Sequence, residues 1–130
     1  MISIFNRAAM ARVLTLDLAP QLRCLLERRF ASLVTPWGDL TDWTEWIILE
    51  PGDGEDDIVC EVGFSPLIEP IDGARFGTTG FRPFWDHLDH EGGHFVMIQS
   101  FGSTFAYVLI IPDDDGIFPE LLALCRQYAA

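Results

Sequence analysis

The segment FAYVLIIP, residues 105–112, constrains the fold more than any other stretch of the chain. Read with the two-residue period of a strand, Phe105, Tyr107, Leu109 and Ile111 point one way and Ala106, Val108 and Ile110 the other. A strand apolar on both sides has to be covered on both faces, which places it centrally in a sheet. Its run from Phe105 to Ile111 is the longest uninterrupted apolar stretch in the chain, far short of the ~20 residues a membrane-spanning helix needs.

Other elements follow from this strand. His94 to Phe101 precedes it across Gly102-Ser103, and with Thr104–Pro112 reads as a hairpin. Trp43 to Glu50 (WTEWIILE) is aromatic and β-branched and stops at Pro51-Gly52. Asp57 to Phe64 (DIVCEVGF) alternates, with Ile58, Cys60, Val62 and Phe64 in phase, so the turn PGDGED predicts another hairpin. Asp17 to Leu33 predicts a helix, with Asp17 as cap, Pro20 in the first turn and a stripe of Leu22, Leu25, Leu26, Phe30 and Leu33. Thr35-Pro36 ends it, because the residue before proline avoids helical geometry. Residues 2–12 are expected to add a helical turn or two.

Residues 65–82 read as a long loop, a feature that in a compact domain is functional or holds further structure. A short helix is expected from Pro83 to Gly92-Gly93, the glycines serving as a left-handed cap. A last helix starts near Phe118 and buries Leu121, Leu124, Cys125 and Tyr128. The expectation is a single α+β domain over residues 1–130. It has a four-stranded, mainly antiparallel sheet of two hairpins, packed with an N-terminal helix, a C-terminal helix and one short helix.

Charge narrows the function classes. The chain holds eight arginines, no lysine and 20 acidic residues, for a net charge of −12. Residues 1–30 carry a local +3 and residues 31–130 a local −15. Such a surface repels nucleic acid and anionic membrane and attracts cationic partners. The N-terminal stretch is apolar, yet Arg7, Arg12 and Asp17 interrupt it, so it reads as mature structure of a soluble, cytoplasmic protein. Cys24, Cys60 and Cys125 have no CxxC or Cys/His spacing, and Cys60 and Cys125 fall on apolar faces, which predicts reduced, structural thiols.

Several clusters invite chemistry. All three histidines lie in DHLDHEGGH, residues 86–94. On a helix over 83–91, His87 and His90 would share a side opposite Phe84, Trp85 and Leu88, and His94 could join them at a metal. The pattern departs from HExxH, because Leu88 follows His87 and the spacing is i, i+3. These three are weak metal candidates beside the reading of a solvated helix face. Asp53 to Asp57 does not fit an EF-hand, since Ile58 falls where glycine is required and Phe64 where a bidentate glutamate is required. Asp113 to Asp115 also lacks the calcium pattern. No GxSxG elbow occurs, and Gly77 to Gly80 lacks both the P-loop framework and its lysine.

Arg29 falls inside the apolar stripe of its helix, so it should snorkel, meet a buried carboxylate such as Glu61 or Glu69, or face a ligand pocket. Trp43 and Trp46, an odd number apart, point to opposite faces of a strand, and Trp37 stands close by. An exposed tryptophan in an acidic rim would resemble an interaction hot spot.

These features lead to a non-catalytic binding or regulatory protein of the cytoplasm, inhibitor- or immunity-like, engaging a basic protein partner. Asp53, Glu55, Asp56, Asp57 and Trp43 are the expected contact residues; no catalytic residue and no cofactor is assigned. Alternatives are a metal-dependent enzyme built on His87, His90 and His94, and self-association through an uncovered sheet face.

Overall fold

Strand Phe105–Pro112 is the third of five strands, as its two apolar faces require. The computed structural model describes residues 1–63, 65, 87–101 and 105–129. In chain order its elements are β1 (Ile2–Ile4), α1 (Arg7–Val13), α2 (Pro20–Ser32), β2 (Val34–Thr35), β3 (Gly38–Asp39), β4 (Thr44–Ile48), α3 (Glu55–Val62), β5 (His87–Glu91), β6 (His94–Phe101), β7 (Phe105–Pro112) and α4 (Pro119–Tyr128). The main sheet has the order β1-β4-β7-β6-β5, and β2-β3 form a separate two-stranded ribbon. The fold is α+β with a mixed sheet: β4 runs parallel to β7, and every other pairing is antiparallel.

Helices cover both sides. On one face α1 and α2 bury Ala9, Val13, Leu22, Leu25, Leu26 and Phe30 against Trp46, Ile48, Val96, Val108 and Ile110. Phe30 stacks on Trp46 with ring centroids 4.7 Å apart. On the other face α3 and α4 bury Ile58, Val62, Leu121, Leu122 and Cys125 against Ile47, Phe95, Met97, Leu109 and Ile111. Residues of β7 alternate between the two cores, as the period of the strand demands. Burial pushes the Cys125 thiol up to about 12 and keeps it neutral.

The first expected hairpin is overturned. Glu55–Val62 is a helix, not the second strand of a pair. Three acids fill its first turn, where they complement the helix dipole, and the Asp57 carboxylate accepts the Gly54 N–H at 2.8 Å. Gly63, at φ 82°, closes it in the left-handed region. Ile58 and Val62 are in phase for a strand and also i, i+4 on a helix, so period alone could not separate the two over eight residues. Cys60, which a strand would have buried, is exposed on the outer side of α3. With the hairpin gone, β4 pairs with β1 and β7 instead.

The expected short helix is also corrected. Residues 87–91 form edge strand β5, joined to β6 through Gly92-Gly93, while residues 83–86 lie outside the described residues. Both glycines have positive φ, 57° and 76°, the geometry of a tight two-residue hairpin turn. A left-handed helix cap needs the same conformation, which is why the pair supported both readings. Residues 2–12 divide into β1 and the start of α1, whose cap is the Asn6 side chain accepting the Ala9 N–H at 2.8 Å. Helix α2 begins at Pro20 after Ala19, not at Asp17. The 65–82 loop, apart from Ser65, and the Gly102-Ser103 turn lie outside the described residues. Among the described residues no helix is long and apolar enough to cross a membrane.

Two substitutions separate helix from strand at α3. Leu26→Ala, at a fully buried position of the opposite layer, sets the scale at a loss of ~2–5 kcal/mol in urea unfolding. Cys60→Ser, on the exposed side of α3, should cost no more than ~0.5 kcal/mol. A core-sized loss at Cys60 would contradict the helix.

Candidate functional site

Of the expected contact residues, three acids have structural partners. Asp53 accepts the Glu50 N–H at 2.7 Å and pairs with the N-terminal ammonium at 3.1 Å. Glu50 and Asp53 together raise the pKa of that ammonium, the Glu50 hydrogen bond being the larger cause. Glu55 accepts the Ser65 hydroxyl, and Asp57 caps α3. Asp56 is exposed in the first turn of α3. Trp43 is 56% exposed in the 3₁₀ turn before β4, whereas the acids follow the other end of that strand. The set is therefore not gathered into one patch.

The histidines do not converge either. On a strand, His87 and His90 point to opposite faces, so the shared helical side is withdrawn. His87 pairs with Asp89 at 2.7 Å, and His90 lies 3.3 Å from Asp113 with its ring 4.4 Å from that of Phe95. His94 is buried, its Nδ1 2.9 Å from the Gly92 carbonyl oxygen. Among the described residues no three His, Cys, Asp or Glu side chains are grouped to hold a metal ion.

Arg29 finds carboxylates on β5. Its guanidinium reaches Asp89 at 3.2 Å and Glu91 at 2.9 Å, and Arg28 also pairs with Glu91. Glu61 is not its partner, and Glu69 lies outside the described residues. The His87 hydrogen bond, followed by that of Arg29, lowers the pKa of Asp89. On the far side of the strand Asp113 gathers Arg126 and His90.

Two further features emerge from the structure, the second around tryptophans already notable in the sequence. The first is a polar row on the α3/α4 face of the sheet, buried at Glu45 and Gln99 and half-buried at Tyr107. The register sets Glu45 of β4 beside Tyr107 of β7, and Tyr107 beside Gln99 of β6. Glu45 is 8% exposed, and its Oε1 has no hydrogen-bond partner. Its carboxyl lies beside that of Glu61 of α3, whose Oε1 accepts the Ser3 hydroxyl at 3.0 Å. Two neighbouring carboxyl groups can hydrogen-bond to each other only when one is protonated. Burial first, then contact with Glu61, raises the pKa of Glu45 to about 7. One signal was present: Glu45 is in phase with the apolar Ile47 and Leu49.

The second is an aromatic ribbon. β2 and β3 pair Val34 with Asp39 and Thr35 with Gly38, leaving Pro36-Trp37 as the turn. Trp37 is 95% exposed, and Val34, Leu40 and Trp43, near it in sequence, are exposed too. The ribbon is held from behind: Arg7 of α1 pairs with Asp39, and Leu40 donates its N–H to the Leu33 carbonyl at 3.0 Å. Bonds from the Thr41 side chain and backbone, then from Arg7, pull the Asp39 carboxyl down to about 2. Comparison with known protein families, with curated proteins and with solved structures returned no match.

The Arg29 site yields a stability test. Arg29→Ala leaves Asp89 without its arginine and Glu91 with Arg28 alone. The expected loss in urea unfolding is ~1–2 kcal/mol, shrinking as salt is added.

Proposed function

We propose that this chain is a small non-catalytic binding protein of the cytoplasm, inhibitor- or immunity-like, that engages a basic protein partner. The observation that carries this reading is Trp37, 95% exposed at the tip of a braced ribbon. A tryptophan held out in solvent costs free energy unless something covers it, and tryptophans are enriched among residues that dominate binding energy. Val34, Leu40 and Trp43, close to it in sequence on and after the ribbon, are exposed apolar side chains as well. The clamp from Arg7 to Asp39 reduces the ordering needed on association.

Charge supports a cationic partner. Arg7, Arg28, Arg29 and Arg126 are engaged by carboxylates of the same chain, and Arg23 by the carbonyls of Leu14 and Leu16. The excess of acids is thus left to act outward, Asp42 beside the ribbon and Asp56 on α3 among them. In this reading the ribbon supplies the anchor, and the acidic surface supplies attraction and encounter rate.

The test is capture at low salt from the source cell, followed by affinity measurement with the purified captured protein. A basic partner whose affinity falls at least ~10-fold between 50 and 300 mM salt is expected. Replacing Trp37 and Trp43 together by alanine should weaken binding by ~100-fold or more. Affinity indifferent to both salt and the double replacement would refute the reading. A chain that instead sediments as a dimer, and returns to monomer with Trp37→Ala, would assign the ribbon to self-association.

A further inference from the structure

We propose that Glu45 and Glu61 form a proton-shared latch that fastens the C-terminal end of α3 to the sheet and releases it when that proton is lost. The latch does not depend on the binding reading above. It rests on placement: one carboxyl comes from β4, the other from the last turn of α3, and they meet in the layer between. Held in hydrogen-bond contact with one proton between them, they join two layers of the fold. With both ionised, they become like charges at the same contact, with Glu45 buried and Glu61 half-buried.

Among the described residues the cations are engaged elsewhere, the N-terminal ammonium, on the same side of the sheet, by Glu50 and Asp53. Arg7, Arg12, Arg23, Arg28 and Arg29 belong to the α1/α2 layer on the opposite face of the sheet. Arg126 of α4, on the same face as the pair, is committed to Asp113 and Asp115. The other groups facing Glu45 are the Ser3 hydroxyl, which donates to Glu61, and the Tyr107 phenol of the neighbouring strand. Cys125 of α4 is a buried, neutral thiol. Position adds to the repulsion: a carboxylate in the last turn of a helix opposes the helix dipole. Glu61 stands in the last turn of α3, two residues before Gly63 ends the helix.

Burial sets the range in which the latch works, since it moves Glu45 from its ordinary 4.5 to about 7. Because the folded state holds this proton more tightly than the unfolded chain, the latch is complete in acid. Its contribution is lost as pH rises from about 4.5 through about 7. Release exposes first the last turn of α3, where Val62 packs, and then Ile58.

Carboxyl carbon NMR and amide hydrogen exchange on the intact chain test this together. In the native protein the Glu45 carboxyl should titrate close to neutrality. Protection of the α3 amides, corrected for intrinsic exchange, should fall at least ~10-fold from pH 6 to pH 8.5, while β7 amides keep theirs. Glu45→Gln supplies a permanent donor to Glu61, so its α3 protection should be flat over that range. If this variant does not fold, Glu61→Gln makes the same test from the other side. Titration of Glu45 below about pH 5, or an equal fall in protection in a folded glutamine variant, would overturn the latch.

Discussion

Everything in this structure depends on the double burial of β7. A strand with no polar face cannot sit at a surface, so the chain must provide two helical layers and strands on both flanks. It does so economically in sequence: α1 and α2 come before the sheet is complete, α3 and α4 come from within and after it. Ile110 and Ile111, adjacent in the chain and both fully buried, belong to different cores. That pair alone shows why neither layer is dispensable.

The elements legible in the sequence were those with one consistent period over enough residues. β6, β7, α2 and the final helix fall close to their expected positions, because their stripes are long and their ends carry glycine or proline signals. α3 failed for a physical reason, since Ile58 and Val62 satisfy a strand and a helix equally, and the acids before them resemble a turn as much as a helix N-terminus. β5 failed because Gly92-Gly93 can close either element. β1 has only three residues, too few for any pattern to emerge.

The polar features were less legible still, because they are properties of pairs. Glu45 becomes notable only beside Glu61, and α3 had to be a helix before the two could meet. Arg29 was visible as an anomaly within its stripe, yet its partners sit 60 and 62 positions away on a strand that had been read as helix. Trp37 was visible as one of a cluster, but its exposure depends on a two-residue turn lifting it clear of the sheet. The histidines show the converse: their density in sequence does not become proximity of function once the strand period separates them.

The margins of the main sheet carry a consequence for recognition. Among the described residues one border is β1, three residues long, and the other is β5, where His87, Asp89 and Glu91 alternate along one side under the arginines of α2. A short border and a charged border are both poor templates for the backbone of another chain. Growth by stacking strand on strand, the route to fibrous aggregates, is therefore discouraged at both ends. Among the described residues, these two borders of the main sheet offer other chains side chains rather than a long vacant row of amides and carbonyls.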